Sequence, residues 1–348
     1  SAGDDEFTVA ETGVGTGVYN VGADLITFSD VTTVNAGAEA GGPDGDKVNT
    51  VGDMTLTGAD GEFLNNNITF SGIESVGGDG SSIVGSDKAD HFIVKATTVN
   101  ANGIEFSGFA SEIDAGSQEA GTVDEVEGHT GQHWTIVGNA DNSASNNGIT
   151  FVNAEKLTAA SGTNLLGRDG VSDGTDGHDN FVLTADGDVK VGDMTFFGVS
   201  AVEGRGGVND VDASDYVAGL ALTGADNEIK LTHDTLNRVF QDIDTVTVQT
   251  LTGSAGDDEF TVAETGVGTG VYTVGADLIT FSDVTTVNAG AEGANGDKVN
   301  AVGDMTLTGA DGEFLNNSIT FSGIESVSGD GSSIVGSAKA DHFIVKAT

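Results

Sequence analysis

Acidic residues beside glycine-rich turns are the side chains of this sequence best suited to chemistry. A pattern of Asp, any residue and Phe recurs along the chain, with its Asp at Asp5, Asp90, Asp179, Asp258 and Asp341. Carboxylate oxygens are the ligands that hard divalent cations such as Ca²⁺ prefer. We therefore predict these five residues as metal ligands. The alternative is a structural role, in which each carboxylate caps the turn that it belongs to.

Six more acidic residues extend this prediction. Two lie inside the same turns and four lie in acidic segments between predicted strands: Asp176, Asp257, Asp46, Asp297, Asp210 and Asp212. The chain has 55 Asp and Glu against 12 Lys and Arg, and its formal net charge of −43 favours divalent cations as partners. The alternative is a solvated acidic surface that keeps the protein soluble.

Four of the turns resemble the calcium-binding RTX nonapeptide, G-G-x-G-x-D-x-U-x, in which U is apolar. The segments are GSAGDDEFT at 253–261, GTDGHDNFV at 174–182, GSDKADHFI at 85–93 and GSAKADHFI at 336–344. The last two depart further, because Lys88 and Lys339 replace the Gly in fourth place. The resemblance implies that the Asp binds Ca²⁺ and that the apolar residue points into a core, namely Phe92, Phe181, Phe260 and Phe343. RTX sites form between successive nonapeptides, whereas each motif here stands alone.

The sequence lacks the common zinc-protease, nucleotide-binding and paired-Cys motifs. HExxH and the P-loop do not occur, and the chain has no Cys at all. The negative charge opposes binding to nucleic acid or to an anionic membrane. No apolar run approaches the ~18 residues that a membrane helix needs. We predict a protein that is not an enzyme, does not bind nucleic acid and does not insert into a membrane.

The elements that must position these turns are repeated. Residues 1–97 return almost unchanged as residues 254–348, so the longest period is about 252 residues. Inside it, the Asp-x-Phe pattern marks a weaker repeat of about 84 residues. We therefore divide the chain into repeat unit A (1–84), repeat unit B (85–166), repeat unit C (167–252), repeat unit A again (253–335) and the start of repeat unit B again (336–348).

Short runs that alternate apolar and polar residues indicate β-strands, and Gly, Asn and Asp indicate tight corners. Asn102-Gly103, Asn147-Gly148 and Asp60-Gly61 are predicted to supply the positive φ angles that such corners need. A finest period of about 21 residues predicts an all-β fold, a parallel β-solenoid with one coil per period. The alternative is a row of immunoglobulin-like β-sandwiches of about 84 residues each.

Phenylalanines recur at similar positions of the predicted strands. We expect them to form an internal aromatic ladder, one ring above another. The alternative is a surface platform on which sugars stack. The residues concerned are Phe28, Phe70, Phe106, Phe151, Phe196, Phe240, Phe281 and Phe321.

In composition and repeat order the whole chain resembles large repetitive bacterial surface proteins, such as RTX-type adhesins and β-solenoid fibre proteins. That resemblance implies secretion to the bacterial cell surface. We predict a structural protein of an extracellular fibre, an adhesin stalk or a biofilm matrix, stabilised or cross-linked by calcium and assembling with copies of itself. The alternatives are a polysaccharide-acting β-helix enzyme and a glycan-binding adhesive module, and cell-surface or matrix glycans are further predicted partners.

Overall fold

The structure, a computed structural model, describes residues 4–21, 24–37, 45–117, 119–138, 142–160, 162–168, 177–225, 227–232, 237–274, 277–291, 293–341 and 343. These residues form forty β-strands and no helix, which confirms the predicted all-β class. The strands are short, and their side chains alternate between the core and the surface. In the strand Ile68–Ser71, for example, Ile68 and Phe70 are buried while Thr69 and Ser71 are half-buried. This period of two is the one that the sequence pattern predicts.

The strands occur in four groups of ten. The first group is β1 (Glu6–Val9), β2 (Gly17–Val21), β3 (Asp24–Phe28), β4 (Thr33–Asn35), β5 (Lys47–Asn49), β6 (Met54–Leu56), β7 (Glu62–Asn65), β8 (Ile68–Ser71), β9 (Ser75–Gly77) and β10 (Ile83–Val84). The second is β11 (His91–Val94), β12 (Val99–Ala101), β13 (Ile104–Ser107), β14 (Glu112–Asp114), β15 (Glu125–Glu127), β16 (Trp134–Ile136), β17 (Ser143–Asn146), β18 (Ile149–Val152), β19 (Lys156–Thr158) and β20 (Leu165–Leu166). The third is β21 (Asp179–Leu183), β22 (Val189–Val191), β23 (Met194–Phe197), β24 (Ala201–Glu203), β25 (Asn209–Asp212), β26 (Leu220–Leu222), β27 (Ile229–Leu231), β28 (Val239–Gln241), β29 (Thr245–Thr247) and β30 (Thr250–Thr252). The fourth is β31 (Glu259–Val262), β32 (Gly270–Val274), β33 (Asp277–Ser282), β34 (Thr286–Asn288), β35 (Lys298–Asn300), β36 (Met305–Leu307), β37 (Phe314–Asn316), β38 (Ile319–Ser322), β39 (Ser326–Ser328) and β40 (Ile334–Val335).

Each group of ten follows the same path between two kinds of sheet, which we call sheet I and sheet II. Three strands of sheet I come first, followed by one of sheet II, one of sheet I, three of sheet II, one of sheet I and one of sheet II. The three consecutive strands form an antiparallel meander. In the meander β11–β12–β13, Phe92 pairs with Ala101 and Val99 pairs with Phe106.

The chain divides into two compact units, residues 1–165 with 192–199 and residues 166–191 with 200–348. In each unit, sheets I and II face each other and bury their apolar sides between them. In the first unit, the ring of Phe63 in sheet II lies 6.0 Å from that of Phe106 in sheet I. In the second unit, the ring of Phe260 in sheet I lies 6.4 Å from that of Phe321 in sheet II.

Strands from successive passes of the chain pair in parallel within each sheet. Val48 pairs with Val76, and Phe7 pairs with Val48. Within each pair, the two residues are farther apart in the sequence than the length of one predicted coil. The predicted coil size is therefore not confirmed. The reason is that the meanders insert extra strands between parallel partners. Phe260 and Phe281, which mark one predicted coil in the sequence, lie in the first and last strands of one meander.

Parallel pairs also connect one predicted repeat unit to the next. Strand β9 of repeat unit A pairs with β13 of repeat unit B, and β29 of repeat unit C pairs with β33 of the second repeat unit A. Immunoglobulin-like domains complete their sheets from their own strands. The alternative of separate sandwiches is therefore wrong, and each compact unit is β-solenoid-like with mixed parallel and antiparallel sheets.

The predicted Phe residues occupy the core, with a different packing from the one expected. All of them are buried except Phe28, which is half-buried, and Phe343, which is 58% exposed, so the prediction that Phe343 points into a core is wrong. In the described ring contacts, two Phe residues of the predicted ladder do not touch each other directly. A different aromatic side chain lies between them and contacts both. The ring of Phe63 lies 5.2 Å from that of Phe70 and 6.0 Å from that of Phe106. In the same way, Trp134 lies 6.3 Å from Phe151 and 6.2 Å from Phe196. The prediction of a direct ladder is wrong here, because these intermediate rings separate its members.

The corners use the residues that the sequence predicts. Asn102, Gly103, Asn147 and Gly148 all have positive φ, at 47°, 84°, 52° and 77°. In Asp60-Gly61, Gly61 has a positive φ of 67° and Asp60 does not, so the prediction holds there for the glycine alone. Asn and Gly adopt this left-handed region at the lowest energetic cost.

Candidate functional site

The predicted ligands Asp5, Asp90, Asp179 and Asp258 lie where the first strand of each sheet I meander begins. Each of them is the first member of a set of three polar residues, one at the start of each of three neighbouring parallel strands. We call such a set a carboxylate column. The four columns are Asp5–Asp46–Glu74, Asp90–Asp124–Glu155, Asp179–Asn209–Asp244 and Asp258–Asp297–Glu325.

Hydrogen bonds from backbone N–H groups to side-chain carboxylates connect the members of a carboxylate column. The N–H of Asp90 donates to Oδ1 of Asp124 at 2.7 Å, and the N–H of Asp124 donates to Oε2 of Glu155 at 2.9 Å. In return, the carbonyl of Asp124 accepts from the N–H of Lys156 at 3.0 Å. Each carboxylate thus satisfies a main-chain donor at the corner, where the strand ladder does not reach.

The other columns have the same geometry. The N–H of Asp5 lies 2.6 Å from Oδ1 of Asp46, and that of Asp258 lies 2.8 Å from Oδ1 of Asp297. In repeat unit C an amide replaces the middle carboxylate, and Oδ1 of Asn209 accepts from the N–H of Asp179 at 3.3 Å. An acceptor oxygen is therefore the property common to all four middle positions, and a negative charge is not.

Close packing at the column depends on a glycine before the middle residue in both copies of repeat unit A. Gly45, which precedes Asp46, has a φ of 66°, and a Cβ added to it would lie 2.8 Å from Cβ of Glu74. Gly296 has the same relation to Glu325, again at 2.8 Å. A larger residue here would push the third carboxylate away from the backbone N–H that it accepts.

A second polar group contacts the first Asp of each column, and its identity varies. The Tyr19 hydroxyl donates to Asp5 at 2.6 Å, and the Tyr272 hydroxyl donates to Asp258 at 2.7 Å. Asn102 donates to Asp90 through its side-chain amide. Sequence reasoning missed these partners, although a Tyr at the same distance after the Asp in both copies of repeat unit A is a signal that could have found them.

Asp179 has a cationic partner. The Arg168 guanidinium donates to the Asp179 carboxylate, and both side chains are buried. Breaking a buried ion pair by removing one partner is strongly destabilising, because the remaining charge is left without compensation. Arg168 occupies the place that Ser86 and Ser254 hold in the other repeat units, where the Ser contacts its Asp.

Burial changes the acidity of the middle carboxylates. The pKa of Asp124 is raised to about 7, chiefly because the carboxyl is removed from water; the N–H of Asp90 acts in the opposite direction, and the charges of Asp90 and Glu155 add to the rise. Burial also raises the pKa of Asp46 and of Asp297. Oδ2 of Asp297 is buried and accepts no hydrogen bond from the described part of the chain. Burial, together with the adjacent Asp258 carboxylate, raises the pKa of Tyr272.

The nonapeptide-like Asp residues cap their own turns. Oδ2 of Asp90 accepts from the N–H of Ser86 at 2.6 Å and from its hydroxyl at 3.0 Å. Asp258 accepts the same pair from Ser254 at 2.8 and 2.9 Å. The half-buried Asp341 accepts it from Ser337 at 2.7 and 2.8 Å.

As they are placed, these oxygens cap the backbone of their own turns. Among the described residues, no three His, Asp or Glu side chains converge in a geometry that holds a metal ion. Calcium prefers six to eight oxygen ligands, so a single Asp with its oxygens already accepting hydrogen bonds is a poor centre. Calcium at these motifs therefore stays a prediction that a binding measurement must test.

Three further predicted ligands, Asp257, Asp210 and Asp212, are not members of the columns, although Asp257 and Asp210 adjoin the column residues Asp258 and Asn209 in sequence. Asp257 is exposed, and the N–H groups of Asn295 and Gly296 donate to it at 2.9 and 3.0 Å. These bonds lower the pKa of Asp257. Asp210 contacts His178 at 3.1 Å, and Asp212 accepts from the N–H of Ser214 at 3.0 Å. Asp176 lies outside the described residues.

Neither a protein-family model, nor a curated protein, nor a solved structure matches this chain. In the part of the chain that the structure describes, no helix has the length and apolarity needed to cross a bilayer.

Proposed function

We propose that this chain is a structural protein of an extracellular fibre, an adhesin stalk or a biofilm matrix, built from tandem repeats that stack through their strand edges. The observation that carries the proposal is the fourfold recurrence of one ten-strand path. A binding or catalytic site requires one arrangement that is unlike the rest of its scaffold. A chain whose repeats keep the same corners, core and capping residues is suited to forming a long and uniform body.

The chemistry of the carboxylate columns supports this role. The first and middle members of the columns are buried, and their oxygens accept backbone hydrogen bonds. Acidic residues that act on a polysaccharide must reach their substrate, and these residues do not face solvent. Their capping role holds successive strands together, which is a mechanical function.

The surface charge supports an exported setting and a cationic partner. A net charge of −43 keeps copies of the protein apart until ions screen or bridge them. We therefore include divalent cations, calcium above all, as partners that promote assembly. Copies of the chain itself are the principal macromolecular partner, and the cell surface or its matrix is the proposed location.

Electron microscopy of the purified protein tests the proposal. Samples in calcium, in chelator and in sodium chloride of matched ionic strength separate specific calcium binding from charge screening. We expect filaments in calcium. If sodium chloride gives the same filaments, the role of calcium is screening alone. Compact single particles in all three samples would contradict the fibre proposal.

A further inference from the structure

Three junctions between neighbouring strands of sheet II are built alike. In each, the turn that follows one strand lies beside the turn that follows its parallel neighbour, and the strand pairs are β6–β10, β26–β30 and β36–β40. The first turn contains a glycine with a φ of 76°, 81° and 82°, at Gly58, Gly224 and Gly309. In the second turn, a backbone N–H donates to a Ser hydroxyl at 3.0, 3.1 and 3.0 Å, and its residue is Lys88, Gly256 or Lys339. These last three residues therefore hold equivalent positions.

A lysine side chain fills the space between the two turns at two of the junctions. A Cβ added to Gly58 would lie 2.8 Å from Cδ of Lys88, and one added to Gly309 would lie 2.8 Å from Cδ of Lys339. The Lys88 ammonium donates to the carbonyl of Thr57 at 3.5 Å, and the Lys339 ammonium donates to that of Gly309 at 3.1 Å. The stem of each Lys thus covers the glycine of the first turn, and its ammonium reaches a carbonyl beside that glycine or of the glycine itself.

The third junction has the same turns without such a side chain, because Gly256 stands where the other two have Lys. Among the described residues, a Cβ added to Gly224 would meet only Ser254 within 4 Å, at 3.2 and 3.3 Å. A groove of about 330 Å³ opens here, which we call the Gly256 groove. The residues that line it include Thr223, Gly224, Ser254, Gly256, Asp257 and Tyr272. All of them belong to one compact unit.

The charge of this junction differs from that of the other two. Lys88 and Lys339 are each followed by Ala, whereas Gly256 is followed by Asp257. The junction at the Gly256 groove therefore lacks one positive charge and has one additional negative charge. Backbone N–H groups of residues 295 and 296 donate to Asp257, which lowers its pKa and keeps the carboxylate ionised. An exposed carboxylate beside backbone carbonyls attracts a cation.

We propose that the Gly256 groove binds a primary ammonium group on an alkyl chain, in the position that a lysine side chain holds at the two other junctions. The three N–H donors of the ammonium face the carbonyls of the first turn, at Thr223 and Gly224. The alkyl chain lies over Gly224, as the lysine stems lie over their glycines. Asp257 supplies the countercharge. Because the groove is complete within one compact unit, the proposal does not depend on the proposed fibre function.

Nuclear magnetic resonance titration of the protein tests the binding. The probe is n-butylammonium, and the control is butyltrimethylammonium, which has the same charge and no N–H donor. Both are added at ~0.15 M ionic strength, where exposed charges more than about 8 Å apart are largely screened. We expect n-butylammonium to shift the amide resonances of Gly224 and Gly256 saturably and the control to leave them unchanged. Equal shifts from both compounds, or no shift from n-butylammonium, would overturn the proposal.

A double variant that supplies the ammonium from the chain itself locates the site. Gly256→Lys with Asp257→Ala gives residues 253–258 the sequence of residues 336–341. We expect it to keep the wild-type unfolding temperature and to bind n-butylammonium about tenfold or more weakly than wild type. The matched control Gly256→Ala leaves the groove open, since its Cβ meets nothing closer than 3.5 Å, and should bind within about twofold of wild type. Wild-type affinity in the double variant would exclude the groove as the site.

Asp257→Asn tests the countercharge without closing the groove. The Asn keeps an oxygen that accepts the N–H groups of Asn295 and Gly296 and removes the negative charge. We expect binding of n-butylammonium to weaken by about two- to fivefold, as for the loss of a surface ion pair. Unchanged affinity would overturn the part assigned to Asp257.

Two further probes identify the source of the ammonium. Putrescine represents free polyamines, and Nα-acetyl-lysine N-methylamide represents a lysine side chain of another polypeptide. Tighter binding of putrescine assigns the groove to a free polyamine, and equal or tighter binding of the lysine amide assigns it to a polypeptide partner. Calcium chloride that shifts the same resonances while n-butylammonium does not would overturn the proposal in favour of a metal ion. The presence or absence of filaments in micrographs bears on the fibre proposal alone.

Discussion

Replacing Asp124 by Asn is expected to stabilise the protein at neutral and alkaline pH. Asp124 is completely buried, and its Oδ1 accepts the N–H of Asp90 at 2.7 Å. An Asn keeps that acceptor and removes the buried negative charge. Repeat unit C already has this arrangement, because Oδ1 of Asn209 accepts the N–H of Asp179.

The sign of the effect follows from proton binding. The pKa of Asp124 is raised from 3.8 to about 7 in the folded protein, so between these values the folded state holds a proton that the unfolded state has released. Stability from this group is therefore fully present below about pH 4 and is lost as the pH rises to about 7. A pKa difference of about 3 between the two states corresponds to a limit of ~4 kcal/mol, at about 1.36 kcal/mol for each pKa unit. Because neighbouring groups can relax, we expect Asp124→Asn to gain about 1–3 kcal/mol at pH 8 and little at pH 4.

Thermal unfolding followed by circular dichroism between pH 4 and pH 8 measures this difference. Asp60→Asn is the matched control, because Asp60 is exposed in a turn and the change removes the same charge. The control should follow the wild-type pH profile. If Asp124→Asn unfolds at the wild-type temperature or below at pH 8, or if its profile runs parallel to the wild-type profile, the argument from the buried charge is wrong.

Three further substitutions probe the core and the corners, each measured by thermal unfolding. Gly253→Ala should be severely destabilising, by about 3 kcal/mol or more, because its Cβ would lie 1.9 Å from the Ala289 carbonyl oxygen. Gly256→Ala, in the same motif, meets nothing closer than 3.5 Å and should be nearly neutral, and equal losses in the two variants would contradict this reading. Phe63→Ala removes a fully buried ring and should destabilise by about 3–5 kcal/mol, and a loss below about 1 kcal/mol would mean that the site is not packed as described. Arg168→Ala leaves a buried carboxylate without its cation and should cost about 3–5 kcal/mol at pH 8, with recovery at low pH where the carboxylate is protonated.

The glycine pair also bears on the resemblance to RTX repeats. Gly253 and Gly256 are both consensus positions of that motif, yet only Gly253 is enclosed by backbone. In the two weaker motifs Lys88 and Lys339 replace the second glycine, and their side chains approach the turn of Gly58 or Gly309. The structure therefore explains the first glycine at Gly85 and Gly253, where a Cβ would lie 1.8 and 1.9 Å from a backbone carbonyl oxygen, whereas Gly256 is not enclosed in this way.

Local patterns in the sequence were sufficient for the class of fold, the turn positions and the membership of the core. Alternation between Ile68 and Ser71 predicts a strand because side chains of a strand point to opposite faces in turn, whatever the strand pairs with. Asn102-Gly103 predicts a corner because Asn and Gly adopt positive φ most easily. The near-identity of residues 1–97 and 254–348 likewise required no structure to detect.

Only the tertiary structure determines which strands pair. Strand pairing in turn determines how much of the chain forms one coil and which residues meet in a carboxylate column. Phe260 and Phe281 mark a regular step in the sequence, but whether the chain between them closes a coil or folds into a meander depends on partners far along the chain. The same holds for the carboxylate column. The positions of Asp5, Asp90, Asp179 and Asp258 at equivalent corners were predictable, whereas their pairing with distant middle residues follows from the register of parallel strands. Strand periodicity is a property of neighbours along the chain, and register is a property of neighbours in space.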